Sequence, residues 1–440
     1  MRYAKYKPTG IAWLPEVPEG WEMVRNKTFL TITDEKVGER KDEFTLLSLT
    51  KQGVIVRDLS EMKGKFPKDF DAYLVVRPSN LVFCLFDVDE TPRTVGLVRN
   101  VGMLTGAYTN FKVDNDLVLP EFACYYYLHV DDAKKLRPYY TGLRKVVKTN
   151  TFLQLRFPRP PLNEQRAIVA YIDEKCGKID RLVAAKEKEA ALLKELKQSM
   201  IAEAVTRGIS HAESAECVEG VSSPRSLRSP RENNRRLVPS GIPWLPEVPE
   251  GWEMKRLKWI LEEIKVLSTT GEELPLSLTA TDGLIPFSEK ANRTMESATY
   301  VGAKIVRKGQ IVFNRFKARL FAVAPCTGLV SSDYAVYQVR IEVEKKFLLY
   351  LFATPTFRQV MNNQASGIGD GFSRLYSSEL FKLYVPLPPL VEQREIVAHI
   401  EARAAKIDAA VKGLEREVAA LKEYKQRLIA DVVTGQRKVA

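Results

Sequence analysis

The sequence predicts an α+β chain built twice in tandem: two globular domains, each followed by a long helix. Three observations predict it. A block recurs almost literally at an offset of 231. Each copy opens with short β-rich runs separated by turn residues. Each then continues, past a proline run, into about 40 residues with the apolar spacing of a coiled-coil helix.

The duplication comes first because everything else is read through it. GIAWLPEVPEGWEMVR at Gly10 to Arg25 returns as GIPWLPEVPEGWEMKR at Gly241 to Arg256, with 14 of 16 positions identical. LSLT at Leu47 to Thr50 returns at Leu276 to Thr279, and LVF at Leu81 to Phe83 pairs with IVF at Ile311 to Phe313. PRPPLNEQRAIVAYIDEKCGKID (Pro158 to Asp180) returns as PLPPLVEQREIVAHIEARAAKID (Pro386 to Asp408) at an offset of 228.

The globular parts are predicted at 1–157 and 239–385. Their strands are read at Ala72 to Val76, Leu81 to Phe86, Lys304 to Val306, Gln310 to Phe313 and Tyr334 to Ile341. The helical parts are predicted at 158–207 and 386–440, with Pro161 and Pro389 in the first turn, where a missing N–H costs nothing. In the second copy Ala404, Val411, Val418, Lys425 and Val432 take heptad position a, with Ile400, Ile407, Leu414, Leu421 and Leu428 at d. The first copy places Cys176, Val183, Ala190, Lys197 and Ala204 at a, with Ile172, Ile179, Lys186, Leu193 and Met200 at d.

Lys197 and Lys425 fall on the same late a position, where a polar residue lowers stability but fixes register. A helix of 45 residues would span roughly 65–70 Å. Two such rods in one chain would bury their seams against each other. If they pair antiparallel, the globular domains lie at opposite ends of a spacer with pseudo-two-fold symmetry. The competing reading is an ordinary amphipathic helix on a globular core. Residues 208–238 are rich in Ser, Arg and Glu, lack periodicity and read as a linker.

The net charge of +12 favours a polyanionic partner without identifying one. KKLRPYYTGLRKVVK (Lys134 to Lys148) and KIVRKGQIVFNRFKAR (Lys304 to Arg319) each hold six basic residues and no acidic one, with aromatic residues interleaved. A third type of segment, Thr141 to Pro158 and Ser366 to Pro386, joins a glycine-bearing loop to basic or hydroxyl residues. Such side chains neutralise phosphates, and Arg or Asn can read base edges. The candidate contacts to double-stranded DNA are therefore Arg144, Lys145, Lys148 and Thr149 in the first copy. In the second they are Asn314, Arg315, Lys317, Arg319, Ser373 and Arg374. The competing reading of either cluster alone is a solvated surface.

No catalytic site assembles. There is no phosphate-binding GxxxxGK[ST] loop and no HExxH. The Pro-Pro pairs lack the flanking Asn or Asp and aromatic residue of amino-methyltransferases. Glu61-Met62-Lys63 is only a chance-level match to half a nuclease motif. Asp87, Asp89 and Glu90 could hold Mg²⁺ but read better as a surface loop. Five scattered cysteines and three histidines give no zinc knuckle or disulfide framework, so no metal site is expected. No apolar run is long enough to span a membrane, no leader is evident, and the cytoplasm is the expected compartment.

The repeated GI[AP]WLPEVPEGWEM[VK]R opening, the PPL-x-EQR-x-IV run and the helix ending LIADVVTGQ resemble the specificity subunits of type I restriction-modification enzymes. The resemblance covers nearly the whole chain and occurs twice in order. It implies two target-recognition domains, each reading half of a split DNA sequence, and an antiparallel coiled coil that sets the spacer. It also implies partners: methyltransferase subunits, usually two, and restriction subunits. These partners would supply S-adenosylmethionine, ATP and Mg²⁺ chemistry, while this chain is non-catalytic and holds no cofactor. Glu164, Gln165, Arg166, Glu392, Gln393 and Arg394 match the family's helix start and are expected to be structural or subunit-docking, as are Lys197 and Lys425. Trp13, Trp21, Trp244 and Trp252 are expected to pack each domain against the helices. The rival reading is an architectural coiled-coil scaffold for protein partners.

Overall fold

The computed structural model describes residues 2–57, 70–209, 236–279, 282–290, 299–316, 320–366 and 373–439. The fold is mixed α/β. Two compact units divide the chain: Met1–Glu187 with Glu415–Ala440, and Lys188–Leu414.

The first unit opens with the hairpin Tyr6–Ile11 and Leu14–Pro18. Gly10 turns it with φ of 74°, a left-handed conformation that glycine adopts without penalty. Glu22–Arg25 then pairs with the distant Arg156–Arg159, so the proline run is itself an edge strand, where Pro158 costs no ladder bond. A four-stranded antiparallel sheet follows, in the order Leu30–Thr33, Thr109–Val113, Leu81–Phe83, Val95–Leu97. Pairs Leu47–Thr50 with Gly53–Val56, and Leu74–Val76 with Gly102–Leu104, flank it. The helix Pro120–Asp132 buries Phe122, Tyr126 and Tyr127 against Phe83, Phe111, Phe152 and Phe157. Edge-to-face rings such as Phe83 and Tyr127, 5.1 Å apart, fill this core.

The second unit repeats these elements pair for pair. Its opening hairpin is Leu237–Ile242 and Leu245–Pro249, with Gly241 again at φ of 74°. Glu253–Arg256 pairs with Tyr384–Leu387. Its sheet runs Leu261–Ile264, Ala335–Val339, Ile311–Phe313, Phe321–Val323. The close approaches are repeated too: a Cβ on Gly102 would meet the Thr45 carbonyl at 2.5 Å, and one on Gly328 the Leu274 carbonyl at 2.5 Å. One difference is helical. In place of one 13-residue helix the second unit has two, Lys345–Ala353 and Pro355–Asn363, because Thr354 caps the second by accepting from Phe357 N and Pro355 cannot continue the first.

The long helices are Leu162–Arg207 and Leu390–Val433. They begin one residue after Pro161 and Pro389, whose carbonyls accept from Gln165 N and Gln393 N. Every residue placed at a or d is buried or half-buried, Cys176, Val183, Ile172, Val411 and Ile400 among the most covered. In the first unit Asp180 meets Lys425 and Lys186 meets Glu417, so numbers rise on one helix as they fall on the other. In the second unit Lys197 meets Asp408 at 2.6 Å.

The ends of the helices complete the cores. Leu428, Ile429, Val432 and Val433 lie in one cluster with Leu14, Val17 and Trp21. Ala204, Val205 and Ile209 lie in another with Leu245, Val248 and Trp252. Each unit therefore combines the opening hairpin of one sequence repeat with the helix end of the other repeat. Most of residues 208–238, read as a linker, lie outside the described residues.

Candidate nucleic-acid interface

The two basic stretches come from different parts of the repeated fold. By strand register, Lys304 to Arg319 corresponds to Leu74 to Asp89, whereas Lys134 to Lys148 precedes the helix Thr149–Gln154. Each unit nevertheless brings a later loop onto the corresponding segment of its own fold. In the first unit, Thr141 and Val146 close a small hairpin that docks on the segment leaving strand Leu81–Phe83: Val147 N donates to Leu85 O at 2.8 Å. In the second, Ser366 and Arg374 form the bridge, and Leu375 N donates to Arg315 O at 2.9 Å.

Among the first unit's candidates, Arg144 is exposed, donates to Asp87 Oδ2 at 2.9 Å and lies over the Phe86 ring at 5.2 Å. Lys145 donates to Glu90 at 2.7 Å and lies 3.3 Å from Asp89. Arg137 also reaches Asp89, at 2.9 Å, and Tyr140 donates to the same carboxylate. Arg137 foremost, with Lys145 and Tyr140, holds the Asp89 carboxyl below its ordinary range, and Lys145 does the same for Glu90. The acidic trio thus serves as the counter-charge of the basic hairpin. Among the described residues no group of acidic, histidine and cysteine side chains is arranged to hold a metal ion. Lys148 is exposed with no ion pair among the described residues, and Thr149 is half-buried at the start of its helix.

In the second unit Arg315 turns inward. With its side chain 16% exposed, it pairs with Glu263 and reaches Ser377 Oγ, which in turn bonds Tyr337. Asn314 accepts from Phe316 N and shapes the turn that follows. Arg374 is the outward arginine, 4.8 Å over Phe316 and 3.6 Å from Asp333. Ser373 is half-buried beside it. Lys317 and Arg319 lie outside the described residues, as do Glu61-Met62-Lys63 and the glycines at 367, 369 and 371.

The helix-start triplets build a junction, the same in both units. Gln165 is fully buried; its Oε1 accepts from Leu119 N at 2.8 Å, while Nε2 donates to Leu117 O and Pro160 O. Gln393, 1% exposed, accepts from Glu344 N and donates to Pro388 O. Glu164 accepts from Trp21 Nε1 at 3.1 Å and Glu392 from Trp252 Nε1 at 3.2 Å. Trp13 packs edge-on against Tyr139, and Trp244 against Phe357. Arg166 and Arg394 alone of the triplets face outward, exposed and without an ion pair among the described residues.

The arginines have partners that sequence reasoning missed: Phe86, Asp87, Phe316 and Asp333. The signal was present. Phe83 and Phe313 align by the repeat, which puts Phe86 opposite Phe316.

Residues 249–418 match the family model for the type I restriction modification DNA specificity domain. This stretch, most of it in the second unit, is similar to that specificity domain. Two Escherichia coli relatives agree. The type I restriction enzyme EcoDI specificity subunit is 22% identical over 65% of this chain and 63% of its own length; the EcoBI specificity subunit is 22% identical over 66% and 60%. The chain thus spans about three fifths of the length of these curated relatives. One solved chain, from work on complex assembly and conformational transition of the type I R-M system, superposes with a TM-score of 0.63 at 17% identity. It covers 95% of this chain and 98% of that one, which shows the shared fold. No helix among the described residues is long and apolar enough to cross a membrane.

Proposed function

We propose that this chain is the DNA-reading subunit of a type I restriction-modification complex, with one reader in each half and no catalytic step of its own. The observation that carries the reading is the contrast between frame and loops. The units repeat strand for strand and share the Glu-Gln junctions, while the residues around Arg144 and Arg374 differ in kind and position. A shared frame with divergent loops is what two different half-sites require.

The long helices pair in this reading as an antiparallel coiled coil with pseudo-two-fold symmetry and set the spacing between half-sites. The reciprocal pairs Lys197 with Asp408 and Lys425 with Asp180 support it, because a two-fold arrangement repeats each contact with the partners exchanged. Arg166 and Arg394 are the outward members of the junction and the candidates for docking methyltransferase subunits. Those partners, usually two, bring S-adenosylmethionine; restriction subunits bring ATP and Mg²⁺ chemistry, and the complex works in the cytoplasm.

The test is methylation mapping in a host that lacks other adenine methylation and carries this chain with its methyltransferase partner. A split motif with a fixed gap is expected. Methylation without a split motif, or none at all, overturns the reading. A protein-binding scaffold would show no salt-dependent retention on DNA.

A further inference from the structure

Strands Leu81–Phe83 and Ile311–Phe313 hold the same position in their sheets, so the third residue beyond each, Phe86 and Phe316, does as well. The backbone bonds from Val147 to Leu85 and from Leu375 to Arg315 fall one residue before each phenylalanine. Neither ring belongs to a hydrophobic core cluster, and both are half-buried.

What each ring carries is an arginine. Arg144 lies 5.2 Å over Phe86 and Arg374 lies 4.8 Å over Phe316. The arginines are not equivalent in sequence, since Arg144 stands three residues before Val147 and Arg374 one residue before Leu375. The carboxylates beside them are not equivalent either: Asp87 follows Phe86 directly, whereas Asp333 precedes the strand Ala335–Val339. The frame fixes the ring, and two different loops deliver the same group to it. Duplication alone does not produce this arrangement, because only the ring is inherited in place. Core packing does not explain it, because the rings stand outside the cores.

A guanidinium held over a ring keeps its charge and loses freedom of orientation, leaving N–H groups free to meet two neighbouring acceptors. A carboxylate is one such acceptor pair; the guanine edge and a phosphate are others. We infer that Phe86 and Phe316 are the equivalent platforms on which the two readers hold the arginines that contact paired acceptors of the duplex. This rests on the DNA-reading function proposed above. Asp87 and Asp333 occupy the arginines until the duplex displaces them.

The experiment selects duplexes from a random-sequence pool with the full chain and sequences those retained. The unaltered chain is expected to enrich a split motif; if it does not, the DNA-reading function fails and the platform with it. Given a split motif, Phe86→Leu is expected to reduce enrichment at one half by about ten-fold and leave the other half intact, with Phe316→Leu doing the reverse. Phe86→Tyr and Phe316→Tyr, which restore a ring, are expected to recover the preference. Arg144→Lys and Arg374→Lys keep the charge on an exposed side chain and are expected to match the leucine variants. Loss of preference at one half marks a base edge as the acceptor. Uniform weakening with a shallower salt dependence marks a phosphate, and also supports the platform. A split motif unaltered in the leucine and lysine variants overturns the platform and leaves the DNA-reading function standing.

Discussion

Lys197 and Asp408 meet at 2.6 Å, and the same two residue types meet with the repeats exchanged, Lys425 with Asp180, also at 2.6 Å. Both lysines sit on the apolar seam, 29% and 31% exposed, and each meets an aspartate of the other repeat's helix. A partly exposed ion pair contributes about 0–1 kcal/mol, so its value lies in selecting the alignment more than in strength. Lys197→Leu with Lys425→Leu is therefore expected to leave the melting temperature unchanged or raised while loosening register. Cysteines at 186 and 417 check this through disulfide yield, which is expected to fall in the double-leucine background.

Gln165 and Gln393 are buried amides with both ends engaged. Replacing either with alanine strands a backbone N–H and carbonyl away from water, at a cost of about 2–3 kcal/mol. Gln165→Glu is expected to do at least as much harm, because it removes the donor and adds a buried charge. The urea midpoint with an unchanged slope measures both effects.

The Arg77 and Arg40 guanidiniums hold the Glu35 carboxyl down to about 2, against an ordinary value of 4.5. A carboxyl depressed on folding stabilises above its unfolded value and loses that contribution as pH falls through the folded one. The side chain is 37% exposed and screened by solvent, so the effect is small. Glu35→Gln is expected to melt slightly lower than the unaltered chain at pH 6, with the difference closing between pH 4.5 and about 2. A difference that persists at pH 2 would assign the effect to something other than charge.

Asp87 shields Arg144, and Asp89 shields Arg137 and Lys145. Asp87→Asn and Asp89→Asn are expected to strengthen binding to mixed-sequence duplex. The slope of log affinity against log salt is expected to steepen by up to about one for each cation that gains a phosphate. Elution from a DNA column over a salt gradient reads the change directly, later elution being the expected result.

The repeat and the heptads were legible in the sequence because both depend on spacing alone. The strands read at Leu81 to Phe86 and Gln310 to Phe313 form over the shorter spans Leu81–Phe83 and Ile311–Phe313, and the residues placed at a and d are buried or half-buried. Partnership was less legible. Arg144 and Arg315 look alike in a basic run, yet one is exposed beside Asp87 and the other is turned onto Glu263, because their surroundings come from segments 50 residues or more away. The residues before the first proline run divide between a helix, Thr149–Gln154, and a strand that starts at Arg156, a boundary that the sequence pattern does not mark. Pairing with Glu22–Arg25 decides that boundary.

Because Leu428, Ile429, Val432 and Val433 finish the core that contains Leu14 and Trp21, the unit that emerges first from the ribosome is the last to be completed. At 5–20 residues per second, roughly 10–50 seconds separate the exit of its first helix segment from that of its closing turn. During that interval the face around Trp21 and Ile172 lacks its cover. Chaperone demand and sensitivity to truncation should therefore concentrate on the N-terminal unit, even when the lesion lies near Leu428.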